Sequence, residues 1–207
     1  MPKLAAGTRS ARRDQIIAAA LTCFARAGYH GTTMADVALQ AGVSKGTPYL
    51  YFPGKEALFI ALHEEWDCGF TARLDAAIGC LPAAARGSPR RVLRVVAAAF
   101  GAHVAEHATA CRVLLEARTL ASYHPAIAAV VHAADARFHE QLTGLFAAGA
   151  AAGEWPAGTE PALRARLFVA SLYGLAAQWH LAPGSFSWEA ITAVLAGSDV
   201  PDHGGAG

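Results

Sequence analysis

Apolar residues recur every three to four positions through most of this chain, the period of a helix with one buried face. Ile16, Ile17, Ala20, Leu21 and Phe24 make the stripe of a first helix, from about Ser10 to Ala27, which Gly28 stops. Met34, Val37, Ala38 and Ala41 give a second, Thr33 to Ala41, broken at Gly42 because glycine accepts the left-handed backbone of a helix end. A third short helix is expected from Lys45 to about Tyr51, with Ser44 as its N-cap and Pro53-Gly54 as its end. Leu58, Leu62, Trp66 and Phe70 recur every four residues and predict a long helix from Lys55 to about Gly79. The Pro, Gly and Ser content of Cys80 to Pro89 predicts a loop. Further helices are expected over Pro89–His107, Ala110–Ser122, Pro125–Ala152, Pro161–Leu181 and Ser187–Ala196, with a loop at Gly153–Thr159. Nothing alternates as a β-strand does. The pattern predicts an all-α protein of about nine helices.

The second and third helices, joined at Gly42-Val43, read as a helix-turn-helix, whose second helix normally enters the DNA major groove. Thr33 can cap its own helix and donate to a phosphate oxygen, and Lys55 can meet a phosphate as a point charge. Lys45, Gly46 and Thr47 head the recognition helix as candidate base readers: a lysine can donate to guanine and a threonine methyl can pack on thymine.

The stretch GYHGTTMADVALQAGVSKGTPYLYFPGKEALF resembles the N-terminal signature of the TetR family of bacterial transcription regulators. Gly28, Thr32, Thr33, Val37, Ala38, Ala41, Gly42, Val43, Ser44, Gly46, Thr47, Tyr49, Phe52, Lys55, Glu56 and Leu58 carry the resemblance. It covers about the first third of the chain; the remainder is similar only in length and helical character. The resemblance implies a helix-turn-helix DNA-binding domain over 1–54, a ligand-binding and dimerisation domain over 55–200, and a flexible tail at 201–207. It implies DNA contacts from Thr33, Ser44, Lys45, Gly46, Thr47, Tyr49, Leu50, Tyr51 and Lys55, the two tyrosines touching the backbone. Two positions depart from the family pattern. Pro48 stands where leucine or isoleucine is usual, and a short helix is expected to survive it. Leu50 stands where an aromatic or polar residue is common; it either touches a thymine methyl or packs.

By the same resemblance a ligand pocket lies among the middle helices, with Trp66, Phe70, Phe100, His103, Leu115, Arg118, Tyr123, Phe138, Leu142, Phe146 and Tyr173 as candidates. Their aromatic character suits an apolar or planar small-molecule effector, and Arg118 suits an anionic group. Aromatic residues at this spacing also serve as ordinary core. The family dimerises through its last two helices. Leu167, Ala170, Gly174, Ala177 and Leu181, with Trp188, Ile191 and Leu195, are the candidate homodimer interface; such a row can also pack within one chain.

Charge follows the same division. Residues 1–60 hold seven Lys or Arg against three acids, a balance of +4, while the remainder holds ten against thirteen, −3. The basic end coincides with the expected DNA-binding head. Hydrophobic residues make up 54% and charged residues 16%, yet no apolar run is long enough for a membrane span, and no signal-type apolar segment follows the first basic residues, so a cytoplasmic location is expected. Cys23, Cys68, Cys80 and Cys111 have no metal-ligand spacing and are expected to be reduced and buried. His103 and His107 share a helical face without a third ligand in the pattern. No nucleophile triad or phosphate-cradling glycine loop is present, so no enzyme, metal or cofactor is expected. The expected function is a ligand-released repressor of a pseudo-palindromic operator. A helical small-molecule-binding protein or enzyme with an inactive head stays open on account of Pro48.

Overall fold

The computed structural model describes residues 6–155, 158 and 160–195. Among these the elements are α1 (Ala6–Gly31), α2 (Met34–Gln40), a single 3₁₀ turn (Pro48–Leu50), α3 (Lys55–Gly79), α4 (Ala83–Arg86), α5 (Pro89–Glu106), α6 (Ala108–Leu120), α7 (Pro125–Ala151), α8 (Pro161–Leu181) and α9 (Trp188–Leu195). The fold is all-helical, and nine α-helices are present among the described residues. That number hides two compensating differences. The expected third helix is a 3₁₀ turn, and the stretch expected to be a loop, Cys80 to Pro89, holds the one-turn α4, built on alanines with high helix propensity. The tail 201–207 lies outside the described residues, as do residues 156, 157 and 159 of the expected loop.

The chain forms two compact units, Met1–Cys68 with Thr109–Ala133, and Gly69–Ala108 with Ala134–Gly207. The unit that carries the helix-turn-helix is therefore larger than residues 1–54. Its core joins Ile16, Ala20 and Phe24 of α1 and Val37 of α2 to Leu58, Phe59 and Leu62 of α3, Val113 and Leu120 of α6, and Ile127 of α7. The Phe24, Tyr29 and Phe59 rings meet here at 5.2–6.0 Å between centroids. The end of α1 is held from two sides. Gly28 takes φ 70°, and the freed N–H of Tyr29 donates to both carboxylate oxygens of Glu116 on α6 at 3.3 Å. Arg112, also on α6, donates to the Ala25 carbonyl at 2.9 Å. His124, just before α7, lies 3.1 Å from Glu56 at the start of α3.

In the second unit α5 buries Val92, Leu93, Val96, Phe100, His103 and Val104. Ser88 caps α5 by accepting from the Arg91 N–H, and its own hydroxyl donates to Glu154 at 2.8 Å. The α8 helix turns Ala165, Phe168, Leu172 and Ala176 inward. Trp188 of α9 lies over Gly101 of α5, where a Cβ would sit 2.6 Å from its ring. A parallel notch at Gly149 of α7 receives Trp155, which also carries the Arg90 guanidinium over its face at 5.0 Å. The expectation of four buried cysteines holds for Cys23 and Cys111 only; Cys68 and Cys80 are exposed, on helix and turn positions that face outward. Burial pushes the Cys111 thiol up to about 12. No described helix is long and apolar enough to cross a membrane.

Candidate nucleic-acid interface

The turn between α2 and the 3₁₀ segment is closed by the backbone. Gly42 has φ 64°, its N–H donates to the Leu39 carbonyl at 3.1 Å, and the Val43 N–H donates to the Ala38 carbonyl at 3.0 Å. Those two bonds are the Schellman closure of a helix. Gln15 of α1 adds a bond to the Ala41 carbonyl at 2.6 Å, fixing the turn to the rest of the unit.

The recognition segment differs from the helix expected over Lys45–Tyr51. In a helix capped by Ser44, residue 48 is the first whose N–H reaches back four residues, to the Ser44 carbonyl. Proline has no N–H, and its ring crowds that carbonyl. The chain tightens instead: Thr47 donates to Ser44 at 2.9 Å, Leu50 to Thr47 at 3.1 Å and Tyr51 to Pro48 at 3.1 Å, each a three-residue step. The Ser44 side chain meets the Thr47 hydroxyl at 2.7 Å rather than capping a backbone N–H. Pro48 is buried.

This geometry sorts the expected DNA contacts. Ser44, Lys45 and Gly46 are exposed, as are Tyr49 and Leu50, the last at 74%. Thr47 is half-buried. Tyr51 differs from expectation: its ring packs partly on the unit's core, because it shares the inward edge of the turn with Pro48. Thr33 and Lys55 are also committed within the chain. Thr33 forms a capping box: its hydroxyl oxygen accepts from the Asp36 N–H at 3.2 Å and its own N–H donates to the Asp36 carboxylate at 2.9 Å, to which the hydroxyl also donates at 2.6 Å. These bonds hold the Asp36 carboxyl below its usual range. The spacing of Thr33 and Asp36 in TTMAD is that of a capping box. The Lys55 ammonium donates to the Tyr29 carbonyl at 2.6 Å and lies 4.5 Å from the centre of the Tyr29 ring, near the end of α1. Arg13 likewise turns to Glu65 at 2.9 Å.

The expected ligand-pocket residues divide between the two units. Phe70, Phe100, His103, Phe138, Leu142 and Tyr173 belong to the second. There Phe70 meets Phe100 and Phe138 edge to face, each at 5.6 Å; His103 lies 5.8 Å from Phe70, and Tyr173 lies 5.8 Å from Phe100. The Tyr173 hydroxyl donates to Asp135 at 3.3 Å. Trp66, Leu115, Arg118 and Tyr123 belong to the first unit. Tyr123 is 79% exposed in the turn after α6 and does not wall an enclosed pocket; Arg118 is exposed on α6. Among the described residues, no three His, Cys, Asp or Glu side chains are grouped to hold a metal ion.

On α8, Leu167, Ala170, Gly174 and Leu181 are exposed, with Leu163 extending the row and Ala177 half-buried. Ile191 and Leu195 of α9 are half-buried and Val194 is 76% exposed. Trp188, half-buried, packs within its own unit against Phe100, Trp179 and Phe186.

A helix-turn-helix on a helical bundle, followed by a second all-helical unit, defines a DNA-binding regulator class, and comparisons with known proteins name the family. Residues 16–62 match the bacterial regulatory proteins of the tetR family, and residues 89–197, more than half of the chain, match the C-terminal region of BetI-type transcriptional repressors. The chain belongs to the tetR family. The HTH-type transcriptional regulator BetI of Burkholderia cenocepacia (strain HI2424) is 32% identical over 152 residues, 71% of this chain and 73% of BetI. RutR of Escherichia coli (strain K12) is 49% identical over 53 residues, which are 26% of this chain and about a quarter, 25%, of RutR. The crystal structure of FadR from Bacillus subtilis in complex with stearoyl-CoA has the same fold, with a TM-score of 0.74 at 22% identity over 88% of this chain and 95% of FadR.

Proposed function

We propose that this protein is a homodimeric transcriptional repressor that binds a pseudo-palindromic operator and leaves it when a small apolar or aromatic effector binds the second unit. The observation that carries the reading is the helix-turn-helix, closed at Gly42, that leaves Lys45, Gly46, Tyr49 and Leu50 outward. In this reading Lys45 and the Gly46 backbone approach base edges, while Tyr49 and Ser44 hold the phosphate backbone and set register. Lys55 and Thr33 support the head, and their contribution to phosphate binding is secondary.

The apolar row on α8, with Leu167 59% and Leu181 87% exposed, supports a two-fold interface between copies. Two heads related by such an axis reach successive major grooves ~34 Å apart. The aromatic set Phe70, Phe100, Phe138 and Tyr173 supports an effector with apolar surface, and the acyl chain of the stearoyl-CoA bound by FadR has that character. Release follows as a population shift, in which effector favours a conformer of lower operator affinity. The reading includes no catalytic role.

A reporter gene placed behind the chain's own upstream intergenic DNA tests it. Expression of the protein is expected to lower reporter output, and fatty acids or aromatic acids in the medium to restore it. Output that is unchanged by the protein would overturn the repressor reading; repression that no such compound relieves would overturn the effector class.

A further inference from the structure

We propose that Leu50 is an apolar base reader, and that it selects thymine at one operator position through the C5-methyl group. The inference rests on the DNA-binding reading and names the base chemistry of that site. Leu50 is 74% exposed, on a segment otherwise tied to the core by Pro48 and Tyr51. A leucine side chain has no donor or acceptor, so it can hold neither a phosphate nor a polar base edge. In the major groove the one apolar group a base presents is the thymine methyl.

The 3₁₀ winding decides where the side chain points. With three residues per turn, positions three apart line up, so Leu50 stands above Thr47 on one edge, and the Leu50 N–H to Thr47 carbonyl bond at 3.1 Å fixes that register. A second edge, a third of a turn away and carrying Pro48 and Tyr51, faces the core. The Thr47 and Ser44 hydroxyls are bonded to each other at 2.7 Å, which lowers the polar demand of the edge Leu50 shares. Gly46, beside this edge, has open space where a Cβ would stand, so the chain's own packing does not require glycine there, and the backbone gives clearance for a base. The engagement of Lys55 with α1 and of Thr33 with Asp36 leaves fewer charged or hydroxyl contacts to compete with an apolar one.

The test uses the full chain and a duplex that it selects from a randomised pool, with affinity read by fluorescence anisotropy at one salt concentration. Each thymine of the selected duplex is replaced singly by deoxyuridine, which removes only the methyl. Wild type is expected to lose roughly fourfold in affinity at the contacted position, the factor for one buried methyl group. Leu50→Ala should bind the thymine duplex more weakly by at least that factor and be indifferent to deoxyuridine there. Leu50→Met, still apolar and able to reach, should keep the sensitivity. Because the side chain is exposed, each variant should keep the wild-type circular dichroism. If wild type is indifferent to every deoxyuridine, or Leu50→Ala keeps the full set of penalties, the assignment is wrong while DNA binding stands. If no duplex is enriched above the starting pool, the DNA-binding reading itself fails, and the assignment with it.

Discussion

Gly101→Ala separates two opposite expectations. In the middle of a solvated helix, replacing glycine by alanine stabilises by about 1 kcal/mol, since glycine gives up more backbone freedom on folding. Gly101 lies inside α5, but its missing Cβ is occupied: the new methyl would be 2.6 Å from Cδ2, 2.7 Å from Cγ and 2.8 Å from Cε3 of Trp188. Those are three ring atoms rather than the end of a flexible chain, so the indole must leave its place against Phe100, Trp179 and Phe186. Overpacking of this kind costs about 1–3 kcal/mol. Set against the helix gain, a net loss of about 1 kcal/mol lowers the melting temperature by ~2–4 °C for a chain of this size. Tryptophan fluorescence on heating suits the assay, because Trp155, Trp179 and Trp188 lie in that unit. In a Trp188→Ala background the same substitution should become neutral or stabilising, and the difference between backgrounds measures the contact. A Gly101→Ala protein that melts at a higher temperature than wild type would refute the packing argument.

Two further outcomes follow from the surface chemistry. Leu167→Glu combined with Leu181→Glu places charge on the exposed face of α8, and sedimentation velocity should show the dimer replaced by monomer with helix content unchanged; an unaltered dimer would move the interface elsewhere. Asp36 contributes through its ionised form, since its folded carboxyl titrates below the unfolded value of 3.8. That contribution is complete above the unfolded value and disappears as pH falls through the lower, folded one. Asp36→Asn should therefore be less stable than wild type at neutral pH, and the gap should close in acid denaturation scans below about pH 4; a gap independent of pH would show that charge plays no part.

Much of this organisation is written locally in the chain. The four-residue spacing of Leu58, Leu62, Trp66 and Phe70 marks α3, and Gly42, at φ 64°, marks the stop of α2; Gly28, at φ 70°, marks a break inside α1, which runs on to Gly31 instead of ending at Ala27. The features that escaped are of two kinds. Some are local but ambiguous. Pro48 reads as harmless in a first turn, yet in a frame opened by Ser44 it removes the first four-residue bond, and in so short a segment that loss converts the helix to a 3₁₀ turn. Others depend on partners distant in sequence. Lys55 is turned to the Tyr29 carbonyl because the end of α1 arrives beside it, and Trp188 is turned inward because α5 offers a notch at Gly101, 87 residues earlier. A glycine in the middle of an otherwise regular helix was the one local sign of that notch. The aromatic candidates were legible as a group, but not their division, since the sequence does not show that Trp66 and Phe70, one turn apart, fall in different compact units.

The central claim, a sequence-specific DNA-binding regulator, is tested most directly by titrating the full chain against its own upstream intergenic duplex and a scrambled duplex of equal length and composition, at one physiological salt concentration, with fluorescence anisotropy. The account predicts binding to the upstream duplex at least ~10³-fold tighter than to the scrambled one, with that advantage reduced in Lys45→Ala, which removes a base reader, while Tyr49→Ala weakens binding to both duplexes. Equal, weak and salt-sensitive binding to both, unchanged in Lys45→Ala, would contradict it.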